Sequence, residues 1–315
     1  MFTTSIKNHT WHFFLRIMVP ALSIIHFLSF YADYRLFFSE EAYIKPEIMD
    51  ASLDHTGVSA YAFYNYLIAH GYQFEYFLLV KTLIFVYILF LVFLLFGLMT
   101  RLSAIISVGL HFLVLQSMHN YVYGADYFFT ILLFYCALLP LNRYYSLDNL
   151  ISRKRTERIN AFIEQFLSAT VVLRLMQANI CIAYFFSGFD KVLGPTWRNG
   201  EAIWKALHNF NGVVDYEKFD AMASTHIFLI AAWATFLLEM LYPIMANFKY
   251  TRVFWLVGII GMHISIVVLL GLFHFSAIMI VFNLVTYILP FSTAFSVLPK
   301  KAKKAYTMPA LQESV

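Results

Sequence analysis

Charged side chains are scarce in this sequence. Asp, Glu, Lys and Arg make up 13% of its 315 residues, and hydrophobic residues make up 61%. Soluble domains carry about a quarter charged and about half apolar residues. A globule of this size has no interior able to hide the surplus, so lipid must be the solvent for much of the surface. Cysteine is rarer still. Cys136 and Cys181 both fall inside apolar runs, which excludes a disulfide framework or a cysteine-rich metal site and leaves two small hydrophobes. A net charge of +4 is too small to point to nucleic acid. Tandem repeats and low-complexity tracts are absent, and no segment between apolar runs is long enough for a separate soluble domain. A cleavable leader is not expected: the first apolar stretch carries Arg16 and Pro20 and ends in Tyr-Ala-Asp-Tyr instead of a small-residue cleavage site.

What is present is a series of apolar runs near hydrocarbon length. A helix needs about 20 mostly apolar residues to cross a bilayer, and irregular backbone cannot face lipid. Residues 13–31, 77–97, 102–118, 128–141, 169–188, 227–246, 253–272 and 275–291 meet or approach this requirement. The expected fold class is therefore all-α, a polytopic membrane bundle of about eight transmembrane helices. It forms a single domain over 1–296, with a basic cytoplasmic tail over 297–315.

The connections alternate in charge. One set carries Lys7 and Arg16, then Arg101, then Arg143 with Arg153, Lys154, Arg155 and Arg158, then Lys249 and Arg252, then Lys300, Lys301, Lys303 and Lys304. The intervening set is acidic, mixed or free of cations. The positive-inside rule then places both termini in the cytoplasm of a plasma-membrane protein. Cysteines introduced at Asp54 and Asn211 should react from outside, and one at Thr156 should not. Residues 146–166 alternate basic side chains with Ile151, Ile159, Phe162 and Phe166, the pattern of an amphipathic helix on the inner leaflet held partly by anionic lipid. Residues 61–76 and 201–210 read as interfacial helices on the outer side.

Charged and polar residues inside the runs are costly, about 2.5–3.5 kcal/mol for a charge at the bilayer centre. The candidates are Lys81, His111, Asp126, Arg174, Glu239 and His263. Lys81 and Arg174 lie close enough to helix ends to snorkel to headgroups. His111 and His263 read either as core histidines bonded to a neighbouring helix or as functional groups. Glu239 lies deep, and a buried pair with Arg174 or a histidine is expected.

The most distinctive stretch runs from Tyr184 to Trp204. It leaves an apolar helix with Ser187-Gly188, presents Asp190 and Lys191, turns at Gly194-Pro195, and continues through Trp197 and Gly200. It resembles the HTTM family, the membrane domain shared with vitamin K-dependent gamma-carboxylases: a tyrosine-rich helix, small residue-Gly, two residues, Lys, then Trp, two residues, Gly. The segment from Ser117 through His119 to Asp126, with Leu139-Pro140 and 145–148, and the block of Glu239, Pro243, Arg252, His263 and 273–276 resemble further parts of that family. The resemblance implies that Lys191 is a base or ligand group, with Asp190 and Asp126 as further catalytic candidates. It also implies that Trp197, Gly200, Tyr184 and His119 contact substrate, and that a quinone-like reduced cofactor could serve the site. Burial among aromatic rings generally lowers an amine's hold on its proton, which suits a base. The competing reading is a lysine paired with Asp190 or a lipid phosphate.

The chain departs from the carboxylases in reading Tyr-Gly-Ala-Asp-Tyr where they carry an essential histidine, and in lacking their glutamate-binding extramembrane domain; gamma-carboxylation is not expected. It is similar in length and layout to stand-alone members of the family that accompany a bacterial sporulation-delaying toxin. The implied function is maturation or modification of an exported antimicrobial peptide at the outer face of the bilayer, alongside a soluble maturation partner. Two alternatives stay open: a small-molecule or lipid transporter using Lys81, Arg174, Glu239 and His263 as a relay, and a non-catalytic immunity or scaffold protein.

Overall fold

A backbone surrounded by lipid must pair its own polar groups, and the computed structural model shows how far this chain does so. It describes residues 11–53, 58–209 and 226–291, and among them there are helices and no strand. The labelling sites Asp54 and Asn211, Lys7 and the basic tail lie outside the described residues.

Five helices are long and apolar enough to cross a membrane. They are α1 (Trp11–Ser29), α5 (Tyr76–Phe96), α9 (Ala169–Leu193), α14 (Arg252–Leu270) and α15, which begins as Phe273–Asn283 and continues to Phe291. The protein is thus an all-α membrane protein. Three further apolar helices are shorter: α6 (Thr100–Gln116), α7 (Gly124–Leu138) and α12 (Ile227–Met240). At about 1.5 Å per residue each falls below the roughly 30 Å of hydrocarbon. The run expected as one span over 227–246 is divided because Pro243 has no N–H to continue the ladder: α12 stops at Met240, and a separate turn, α13 (Tyr242–Met245), follows. Short helices α2 (Tyr34–Phe38), α3 (Pro46–Ala51) and α4 (Ala60–Ala69) lie between α1 and α5. The interfacial helix expected over 61–76 is in fact α4 alone. It is capped by Ser59 accepting from Ala62 N at 3.0 Å and closed at His70–Gly71, and Tyr76 already opens α5.

α1, α5, α6 and α7 pack together, as do α9, α12 and α14, and α15 touches α1, α7 and α14. Proline shapes α15 as well. Pro290 removes the amide that would bond the Thr286 carbonyl, the helix widens into a π turn over Leu284–Ile288, and Gln177 Nε2 on α9 donates to that carbonyl at 2.9 Å. Gln177 Oε1 in turn accepts from Arg174 at 2.9 Å. Arg174 therefore belongs to a bracket that holds α9 on α15.

The first cation of α1 does more than mark a side of the membrane. Arg16 is 1% exposed and donates to the carbonyls of Leu141, Tyr144 and Tyr145 at 3.1, 3.0 and 2.6 Å. It clamps the loop between α7 and α8 (Leu147–Glu164). On the same loop Ser146 donates to the Asn142 carbonyl. Asp148 accepts from Met99 N and Thr100 N at 2.7 and 2.9 Å, capping the start of α6. Thr156, expected to stay unlabelled because of its compartment, is 4% exposed against this loop, so burial alone would block its reaction and Arg155 is the informative position.

Candidate functional site

Helices α9, α12, α14 and α15, with α10 (Pro195–Arg198) and α11 (Glu201–Asn209), enclose a cavity of about 620 Å³. Its walls are mostly apolar, with Leu238, Met262, Ile266 and Leu269 on one side and Ile203 and Leu207 on another. The polar residues that line it are Tyr184, Ser187, Lys191, Thr235, Glu239, His263 and Ser265.

Lys191 sits in the last turn of α9. The spacing of four residues puts Ser187 on the same face, and Lys191 Nζ donates to Ser187 Oγ at 2.6 Å. It also donates to Glu239 Oε2 at 2.6 Å, and Trp197 of α10 lies with its ring 5.2 Å from Nζ. The Lys191 and Glu239 side chains are 18% and 8% exposed, so the pair is largely out of water but open to the cavity. Gly188 makes the pairing possible. A Cβ there would come within 2.5 Å of the Met240 backbone nitrogen, so only glycine lets α9 approach α12 this closely.

Beneath the pair runs a chain of hydrogen bonds. Tyr242 Oη donates to Asn283 Oδ1 at 2.7 Å, Asn283 Nδ2 donates to Tyr184 Oη at 2.8 Å, and Tyr184 Oη lies 2.8 Å from His263 Nε2. In the tautomer where the Tyr184 hydroxyl donates to His263 Nε2, the chain runs in one direction from Tyr242 to the imidazole. The neutral imidazole then carries its hydrogen on Nδ1. That Nδ1 is buried and has no partner among the described residues. His263 is 1% exposed and lines the cavity. The site therefore offers one unused donor beside an ion pair.

The structure brings Lys191, Glu239, Tyr184, Trp197 and His263 around one space. It does not bring the remaining candidates there. Asp190 is exposed on the other side of α9. Glu239 pairs with Lys191, in place of the expected Arg174 or histidine, and Lys191 takes Glu239 in place of Asp190. Gly200, at φ +85°, forms the bend between α10 and α11, where a Cβ would meet Leu229 N at 2.6 Å; its role is backbone geometry. His119 bonds Ser52 Oγ and the Gln116 carbonyl at 3.1 and 3.3 Å, away from the cavity. Lys81 is exposed, with Nζ 5.3 Å from the Phe77 ring, as a snorkelling lysine would be. Lys81 and Arg174 are thus not assembled with Glu239 and His263 into a relay. On α11, Lys205 and Asn199 hold the exposed Glu201 carboxyl below its usual range by hydrogen bonding.

Asp126 belongs to a second cluster. Its Oδ1 lies 2.8 Å from His26 Nε2, and its Oδ2 accepts from Tyr123 N at 3.0 Å, closing the first turn of α7. His111 Nε2 donates to the Asp126 carbonyl at 3.2 Å, and its Nδ1 takes the Tyr87 hydroxyl at 2.8 Å. This is the core-histidine reading of His111, satisfied on both nitrogens. His26 and Ser187 were not nominated from the sequence. Ser187 was legible through its four-residue spacing from Lys191, whereas nothing in the chain order ties His26 to Asp126.

No family model, no curated protein and no solved structure matches this chain. The chemistry of the cavity is accordingly read from its own residues.

Proposed function

We propose that this chain is an HTTM-type protein of the plasma membrane that crosses it eight times with both ends in the cytoplasm, and that its cavity serves the maturation or modification of an exported peptide at the outer face. The eight-span reading is supported by the finding that every expected run is largely helical and by the alternation of cation-rich and cation-poor links. Outer-face chemistry is favoured because the cavity lies beneath α10 and α11, in the stretch that carries few net cations.

The observation that carries the reading is the Lys191–Glu239 pair lining an otherwise apolar space. In such surroundings Glu239 can take a proton from Lys191, the freed amine can accept a proton from an approaching substrate, and the regenerated ammonium stabilises the anion left behind. His263 Nδ1–H supplies a donor for an oxygen of the bound molecule. The residues also fit a quinone-like reduced cofactor: apolar walls for its tail, Trp197 beside the ring region, and His263 Nδ1 for one oxygen. When bound, such a group would supply reducing equivalents.

The test is to express Lys191→Ala and Glu239→Gln chains together with the peptide and its soluble partner, and to measure the mass and activity of the secreted product. Both variants should accumulate in the membrane and yield unprocessed peptide. Normal product mass from both would reject chemistry at this site in favour of a scaffold. Loss of solute flux in Glu239→Gln alone would favour transport.

A further inference from the structure

An amphipathic helix on an ordinary protein surface buries its apolar stripe and shows its polar one. Helix α8 does the reverse. The residues it buries are Thr156 and Asn160. Asn160 Nδ2 donates to Asn142 Oδ1 at 2.8 Å, Thr156 Oγ1 donates to the Asp148 carbonyl at 3.2 Å, and Glu164 pairs with Arg143 at 2.9 Å. Its large apolar residues face away from the protein: Leu150 is 80% exposed, Ile151 73% and Phe162 62%, and Phe166 just beyond is 77% exposed. Ser152, with φ −155° and ψ 87°, breaks the helix between its two apolar groups.

The charges are sorted in the same way. Asp148 is consumed in capping α6, Glu157 pairs with Arg153 at 2.7 Å, and Glu164 is held by Arg143. Lys154, Arg155 and Arg158 are exposed and have no acidic partner among the described residues. The outward face of α8 is thus both apolar and cationic. The chain fixes where that face lies: α8 joins the end of apolar α7 to the start of α9, which is long enough to span, so it runs at the edge of the hydrocarbon.

We infer that α8 is a lipid-binding element that lies in the bilayer interface, with Leu150, Ile151, Phe162 and Phe166 among the acyl chains, and selects anionic phospholipid through Lys154, Arg155 and Arg158. An acidic soluble protein would satisfy the cations and leave the scattered, convex apolar residues in water. A leaflet with negative headgroups over hydrocarbon meets both. The inference does not depend on the chemistry proposed for the cavity.

The test uses the full chain in nanodiscs of phosphatidylcholine, alone or mixed with phosphatidylglycerol. Cys136 and Cys181 are replaced, and a fluorophore is attached at Leu150→Cys or Phe162→Cys. Lipid-borne spin labels should quench both sites, and aqueous iodide should not. Native mass spectrometry should show phosphatidylglycerol retained over phosphatidylcholine. That preference should fall by roughly fivefold for each charge removed in K154Q/R155Q/R158Q, with the melting temperature unchanged, since these side chains are exposed and pair with no acid among the described residues. Free quenching by iodide at both sites would overturn the inference and point to a water-facing surface or a protein occupant. An unchanged lipid preference in the triple variant would overturn the selectivity.

Discussion

Arg16 and Lys191 are both cations drawn into a helix bundle, and they are satisfied in opposite ways. Arg16 forms no salt bridge among the described residues; its two terminal nitrogens donate to three backbone carbonyls of one loop. Lys191 meets one carboxylate, one hydroxyl and one ring, at the rim of an open space. Fixed backbone dipoles make a cation a permanent fastener. A side-chain partner at the edge of a cavity is what the chemistry proposed for Lys191 requires. Burial alone does not separate the two; what they face does.

The largest effect is expected at Arg16. Arg16→Leu leaves three carbonyls unpaired and should cost about 4 kcal/mol, read as a large fall in melting temperature in detergent, with product per folded molecule unchanged. Arg16→Lys should recover only part of this, because an ammonium cannot reproduce the fork. If Arg16→Leu melted normally, the clamp would not be structural. Second in size is Lys191→Met, which strands Glu239 and should cost about 3 kcal/mol, whereas Lys191→Met with Glu239→Leu should return to within about 1 kcal/mol of the parent and still yield no mature product. Recovery of product in the double variant would show the pair to be structural, like Arg16. Third, Gly188→Ala should cost about 2 kcal/mol and lower product yield as well, because it parts α9 from α12 and so the lysine from its carboxylate. The smallest effect sharpens the other end: Asp148→Ala should cost about 1 kcal/mol through the uncapped start of α6 and leave the product unaltered.

Much of this arrangement is legible in the sequence. Hydropathy marks every membrane helix, because lipid demands continuous apolar length. The four-residue spacing of Ser187 and Lys191 and the Gly-Pro turn before Trp197 place those three together. What hydropathy lacks is direction around each helix axis. It ranks Glu239 as deep but cannot say that its side chain turns towards a residue 48 positions earlier instead of Arg174. It marks Asp126 as costly without revealing that His26, in the first helix, completes it. Charge counting likewise treats Arg16 as a label for one side of the membrane, though the residue is a tertiary anchor. Span length misleads at Pro243, where an unbroken apolar run conceals a divided backbone.

That division has a mechanical result. Glu239 and Tyr242 stand on opposite sides of the joint at Leu241. The carboxylate belongs to the upper rod, and Tyr242 is strung through Asn283 and Tyr184 to the imidazole of His263. The acid and the hydrogen-bond donor of the cavity are therefore braced from different lengths of chain, each with its own supports.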